Sequence, residues 1–246
     1  GVLLAEKSIL TGSLHNDSVI ILNANAKSLN YRNNIFSNLA LSASYSGTKF
    51  TADLKSSSLK IFGRSDLVGF KAGLGVIPDN FIFSFDWDNK EKVPGKGAFI
   101  SRGSYIAKQE GQAGSYLKIE IDSSDVYTRN NKWKIRHSTI TVDSNATFIN
   151  RFIIASGKNS YTIDGTISGN AGDTLSLTFK GIDMSPLSNP EKPYEEGVGS
   201  EIPFNLKGII NGNIQISSAL KNPLIQSNIK VNGFSILSGD YGDVSV

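Results

Sequence analysis

Cysteine is absent from the 246 residues, which removes disulfides, thiol nucleophiles and thiolate metal sites from consideration. That absence fits both a cytoplasmic and an envelope compartment, so it does not locate the chain. Histidine is nearly absent too. His15 and His137 are the only two, they lie far apart, and no array of carboxylates surrounds either, so neither a histidine metal site nor a histidine-based triad is supported. Charge of one sign is also lacking: 25 basic against 22 acidic residues leave +3, and without a Lys/Arg cluster this gives no electrostatic case for a nucleic-acid partner. No run approaches the roughly 20 apolar residues of a membrane helix; the richest stretches are VIIL at 19–22 and FIIA at 152–155. The chain opens at Gly1 with no basic-apolar-small leader and is read as a mature piece or segment of a longer chain.

What is present is alternation. In YTIDGTISGNAGDTLSLTFKGI, residues 161–182, Tyr161, Ile163, Gly165 and Ile167 are predicted to point one way, and Thr162, Asp164, Thr166 and Ser168 the other. After the break at Gly169–Gly172, Leu175, Leu177 and Phe179 repeat the arrangement, which is a β-hairpin signature. Similar stretches fill the chain: VLLAEKSI, DSVIILNANAK, NLALSASYS, KFTADLK and SLKIFGR up to about residue 70, with NYRNN, SGT and SSS as separators. FIFSFDWD places Phe81, Phe83, Phe85 and Trp87 on one face. AFISRGSYIA, YLKIEID, WKIRHSTITVD, ATFINRFIIAS, EIPFNLKGI, GNIQIS, LIQSNIKVNGF and YGDVSV follow. The count predicts roughly sixteen strands of the usual five to six residues. No segment carries a helical period; DMSPL at 183–187 is read as a single helical turn and NPEKPYEEGVGS at 189–200 as an exposed loop. Only 39% of residues are apolar, which suits sheets with one wet face. Open sheets beyond about ten strands must curl, split or close. A membrane barrel would want longer tilted strands and paired aromatic girdles, and short stretches such as KIEID and NIQIS argue against it.

The candidate chemical groups are weak. Asp122 with Asp125, and Glu195 with Glu196, pair in sequence but are read as solvated turns. GLGVIP at 73–78 runs into Pro78 and a strand instead of a helix, so the phosphate-binding geometry is missing. Trp133 and Ile135 are expected to turn inward while Lys132, Lys134 and Arg136 face water. No catalytic residue, cofactor or metal ligand is assigned, and the chain is read as a non-enzyme.

The run WKIRHSTITVDSNATFINRFIIASGKNSYTIDGTISG, then DTLSLTFKGIDMSPL, then FNLKGIINGNIQISSALKNPLIQSNIKVNGFSILSGDYGDVSV, resembles the TamB family of translocation and assembly module proteins, related to AsmA, in the variety found in the Bacteroidetes. The shared features are a Trp strand, a strand ending in INRF, an I-x-G-x-I strand, and repeated G-x-I-x-G and P-x-I-x-x-x-I-x-V units. The resemblance is strongest over 131–246 and looser over 1–130. It implies that 1–246 is one segment of a longer all-β chain: an elongated, strongly curved, mostly antiparallel sheet, the β-taco or open trough, with an apolar interior. It further implies a protein of the periplasm, anchored in the inner membrane at full length, that conducts phospholipid between membranes in outer-membrane biogenesis.

On that reading Ile140, Val142, Ile163, Ile167, Leu175, Leu177, Phe179, Phe204, Leu206, Ile214, Ile216, Ile229 and Val231 line the lipid-binding groove. The partners implied are phospholipid or another acyl-chain lipid, adjacent repeats of the same chain, an outer-membrane barrel of the BamA/TamA type and, for the isolated segment, an edge-to-edge dimer. Two other readings stand beside it. One is a chaperone-like surface that takes strands of an outer-membrane client by edge addition; the other is a carbohydrate-binding β-solenoid.

Overall fold

The computed structural model describes residues 2–5, 7–15, 19–61, 65–107, 114–128, 131–185, 205–237 and 239–245. Their regular structure is β throughout, in antiparallel pairs, as the alternation predicts. The chain forms two compact units, Gly1–Ser144 and Asn145–Val246.

In the first unit, β1 (Val2–Leu4) and β2 (Ile9–His15) both pair with β3 (Val19–Tyr31). A meander then runs through β4 (Asn34–Ser46), β5 (Lys49–Ile61), β6 (Ser65–Ile77), β7 (Asn80–Asp88) and β8 (Lys96–Ile106). The next two passes are each interrupted once. β9 (Tyr116–Ile121) and β10 (Ser124–Thr128) share the edge of β8, and pair in turn with β12 (Ser138–Val142) and β11 (Asn131–Ile135).

Several strands are longer than their sequence suggests, because a polar cluster read as a turn lies inside a strand. KFTADLK and SLKIFGR are one thirteen-residue strand up to Ile61, and the SSS between them is a crease. Pairing skips a step at the same level on β3, β4, β5 and β6, at Lys27, Asn38, Ser57 and Gly69. Asn38 (φ 48°) and Gly69 (φ 64°) take the left-handed conformation there. The buried Ser56 hydroxyl lies 2.7 Å from both the Ser37 and Ser58 carbonyls, and Ser57 Oγ donates to the Ser37 carbonyl at 3.0 Å. These serines satisfy carbonyls that the skipped ladder leaves over, so their tendency to bond backbone serves a strand here instead of ending one.

The described strands of the second unit form a meander: β13 (Ala146–Ser156), β14 (Asn159–Ser168), β15 (Thr174–Asp183), β16 (Leu206–Ser217), β17 (Leu224–Ile236) and β18 (Gly239–Ser245). EIPFNLKGI and GNIQIS do not form two strands; their described part is the single twelve-residue β16. The shortness of NIQIS therefore no longer argues against a barrel. The β14–β15 loop is closed by Ser168, whose hydroxyl donates to Asp173 at 2.6 Å and accepts from the Asn170 backbone N–H at 2.9 Å. Ser185 begins a 3₁₀ turn after Asp183, whose carboxylate accepts the Ser185 backbone N–H at 2.8 Å. The rest of DMSPL and all of NPEKPYEEGVGS lie outside the described residues.

Three bulges in this unit share one construction. On β13 the register shifts between Ile149 and Phe152, and the Arg151 N–H (φ 49°) donates to Asp164 on β14 at 2.9 Å. On β15 the shift falls between Phe179 and Ile182, and the Gly181 N–H (φ 60°) donates to Asn211 on β16 at 2.8 Å. On β17 it falls between Val231 and Phe234, and the Gly233 N–H (φ 61°) donates to Asp243 on β18 at 3.1 Å. A bulge leaves one residue unpaired on the ladder, and each time an Asp or Asn of the adjoining strand accepts the donor it frees.

Candidate apolar binding faces

Antiparallel partners in register share a face of the sheet, so the pairings sort every strand residue. In the second unit Ile163 opposes Phe152 and Leu177, Leu177 opposes Ile214, Leu175 opposes Ile216, and Ile216 opposes Ile225. Tyr161 meets Phe179 edge to face, with centroids 6.1 Å apart, and burial raises the pKa of the Tyr161 phenol. Ile167, Ile229 and Val231 fall on the same side, Ile229 opposite Gly212 and Val231 opposite Ile210. Leu206 opposes Ile236. The other side carries Thr162, Asp164, Thr166, Ser176, Thr178, Asn213, Gln215 and Asn228. Eleven of the thirteen residues named from sequence belong to this unit, and the ten of them that are described share its apolar face; Phe204 lies outside the described residues.

Ile140 and Val142 lie in the first unit, opposite Ile119 and Leu117. Beside them sits a larger feature, whose residues are not among the thirteen named from sequence. Phe85 is the hub of an aromatic cluster: its centroid lies 5.2 Å from Phe99, 5.9 Å from Phe83, 6.1 Å from Trp87 and 6.2 Å from Phe70, and Phe70 lies 6.2 Å from Phe36. The Phe81 ring covers Gly103 and the Trp87 ring covers Gly97, each occupying the space a Cβ would fill. A ring laid over a cross-strand glycine fills the gap in the pleat. The shared face of Phe81, Phe83, Phe85 and Trp87 was legible in sequence. What was missed is that Phe36, Phe70 and Phe99, from three other strands, converge on it, since contacts between strands have no signature within a strand. Trp133 and Ile135 join the same side through Val126, as expected.

These faces are incompletely covered. Seven apolar side chains are buried among the described residues: Ala26, Leu39, Leu59, Phe70, Ile121, Ile135 and Ile182. Most of the rest of both apolar faces is half-exposed, and Ile225 is 63% exposed.

Asp122 accepts from Arg102 at 2.6 Å and Asp125 pairs with Lys132 at 2.8 Å, so both face cations across the sheet instead of forming an acid/base couple; Glu195 and Glu196 lie outside the described residues. A depression of about 320 Å³ on the polar side of the first unit is lined by Ile77, Ile82, Arg102, Ser104 and Glu120 among others. Lys49 also lines it, while Arg102 is paired with Asp122 and Glu120 with Lys118 at 2.8 Å. The Lys118 hydrogen bond and charge hold the Glu120 carboxyl below its ordinary range. Among the described residues no group of three or more His, Asp or Glu side chains is placed to hold a metal ion, and no helix is long and apolar enough to cross a membrane. No protein-family model, curated protein or solved structure matches the chain.

Proposed function

We propose that this chain is a segment of a TamB-like protein whose apolar sheet faces bind and conduct phospholipid between the inner and outer membranes in support of outer-membrane biogenesis. The observation that carries the reading is the segregation of the two faces. Over the six strands of the second unit, one side is mostly Ile, Leu, Val, Phe and Gly, with Tyr161, Thr147 and Ser227 among them, is largely half-exposed, and has a hydroxyl, amide and carboxylate side behind it.

Such a face suits a cargo recognised by area. An acyl chain laid on it gains about 0.8 kcal/mol per methylene removed from water. No contact on the face is directional, so the chain can slip from one strand's side chains to the next without breaking a hydrogen bond. A polar headgroup stays in water, and the reading calls for no catalyst, metal or cofactor. The setting that goes with it is the periplasm, with an inner-membrane anchor and an outer-membrane barrel as the ends of the route.

The test is native mass spectrometry of the purified chain, with solvent extraction of what copurifies, beside the Leu177→Asp/Ile216→Asp variant. Leu177 and Ile216 are diagonal neighbours across β15 and β16, so the two carboxylates break the face at its centre. Phospholipid-sized adducts that disappear in the variant, with the β-sheet circular dichroism retained, support the reading. Equal adducts in both proteins, or a clean apo mass with no uptake of added phospholipid, sink it.

A further inference from the structure

The strand edges of the two units are guarded unequally. β18, the last strand of the second unit, carries Asp240, Asp243 and a left-handed Gly242 (φ 67°), and its pairing with β17 is twice irregular. Charges and bulges of this kind blunt an edge. β2 has none of these. Its sequence, ILTGSLH, contains no Lys, Asp, Glu or Pro, its register with β3 is regular from Ile9 to His15, and all seven residues are exposed. Leu10 is 69% and Leu14 62% exposed. Among the described residues β2 pairs with β3 alone, so its other row of N–H and C=O groups faces outward.

The same seven residues are self-complementary. Turned about a two-fold axis through Gly12 and laid antiparallel, Ile9 faces the copy's His15, Leu10 faces its Leu14, Thr11 faces its Ser13, and Gly12 faces Gly12. Leu10 and Leu14 lie on the apolar side, opposite Ala24 and Ile20 of β3. The pairing therefore joins leucine to leucine on the apolar face and hydroxyl to hydroxyl on the polar one. A contact that uses the same patch on both partners closes as a dimer and does not propagate. We propose that β2 is the interface of an isologous dimer, in which two copies of this chain join edge to edge about Gly12 and carry the apolar face from one first unit into the other. The inference rests on the β2 edge and stands independently of what the apolar face carries.

Because the chain has no cysteine, the register is read directly by single cysteines under mild oxidation. A Cβ at Gly12 makes only ordinary contacts, at 3.7 Å with the Ile21 carbonyl oxygen and 3.8 Å with Leu22, so Gly12→Cys fits. In the proposed pairing two residues 12 are directly opposed, at about 4.5–5.5 Å between Cα atoms, inside disulfide range. Two residues 10 are four steps out of register and outside that range. Gly12→Cys should give roughly tenfold more covalent dimer than Leu10→Cys.

Sedimentation equilibrium over a concentration series adds a second readout. Leu10→Lys/Leu14→Lys sets like charges opposite each other and should associate roughly tenfold more weakly than the wild type, whereas Leu10→Lys/Leu14→Asp sets Lys against Asp and should stay dimeric. Equal crosslinking at positions 10 and 12, or a Lys/Asp variant as monomeric as the Lys/Lys one, overturns the proposal. A strictly monomeric wild type that still carries phospholipid adducts overturns the dimer and leaves the lipid reading intact.

Discussion

If the apolar face is a carrying surface, deletions along it should cost stability in proportion to local burial; if it were an ordinary closed core they would cost uniformly more. Ile182 and Ile225 make the comparison, since both lie on the apolar face of the second unit with the same side chain. Ile182 is 6% exposed and Ile225 63% exposed. Ile→Ala removes about three methylene equivalents, worth roughly 0.8 kcal/mol each when fully buried. Ile182→Ala therefore costs about 2.3 kcal/mol in transfer, rising within the usual range of about 2–5 kcal/mol as the residual cavity adds to it. Ile225→Ala, with a little over a third of its surface covered, costs about 0.9 kcal/mol and leaves no cavity. Equilibrium unfolding in urea reads the difference: at a slope of about 2 kcal/mol/M, Ile225→Ala lowers the midpoint by about 0.5 M and Ile182→Ala by about 1 M or more. Added phospholipid should raise the cost of Ile225→Ala and leave that of Ile182→Ala unchanged, because only the exposed isoleucine has cargo to lose. Equal costs for the two substitutions, with no effect of lipid, would refute the reasoning and return the face to the status of a covered core.

Two further outcomes follow from the backbone irregularities. Ser56→Ala removes the buried hydroxyl beside the Ser37 and Ser58 carbonyls and leaves Ser37 only its bond from Ser57; it should cost about 1 kcal/mol, measured as a urea midpoint shift, and a change within about 0.5 kcal/mol, normal for a surface serine, would mean the crease does not depend on it. At the β17 bulge the Gly233 N–H, with smaller help from Lys230 and Asn232, holds the Asp243 carboxyl below its ordinary 3.8. A depressed carboxylate contributes stability that is present above the unfolded value and lost as pH falls through the folded one. Pairing of β17 with β18 should accordingly loosen as pH drops below about 3.8, seen as reduced protection of the Gly233 amide relative to an unstructured amide at the same pH, and the Asp243 side-chain carbon should titrate below that value. An unshifted Asp243 midpoint would refute the contact.

Strand existence and side-chain direction were legible in the sequence because the alternation has period two and the residues are emphatic: the order Tyr161, Ile163, Gly165, Ile167 places its own face. The hairpin to Leu175 was equally plain from its Gly/Asn break. Strand length was not legible, and the reason is chemical. Ser56, Ser57 and Ser58 carry the composition of a turn, and only the partner strand shows that the Ser56 and Ser57 hydroxyls answer carbonyls at a crease. The same ambiguity divided EIPFNLKGI from GNIQIS at Ile210 and Asn211, both now inside β16. At Asn211 the side chain serves a bulge on β15, which nothing within β16 announces. The aromatic cluster was half visible, as a run on β7, and its convergence with Phe36, Phe70 and Phe99 was not.

The bulges explain how one apolar face survives strands whose own alternation breaks. On β13 the residues opposite Ile167 and Gly165 are Thr147 and Ile149, but those opposite Ile163 and Tyr161 are Phe152 and Ile154. Strict alternation from Ile149 would send Phe152 and Ile154 to the wet side. The extra residue at Asn150–Arg151 changes the phase by one step and brings them back. β15 does the same between Phe179 and Ile182, and β17 between Val231 and Phe234. Each phase change would be free to slide along its strand were it not fixed by a donor and an acceptor at one place: Arg151 on Asp164, Gly181 on Asn211, Gly233 on Asp243. A slip of one residue would carry the whole hydrophobic set of a strand to the opposite face. The polar side of the sheet therefore does more than meet water, since its Asp and Asn residues fix the register that keeps the apolar side continuous.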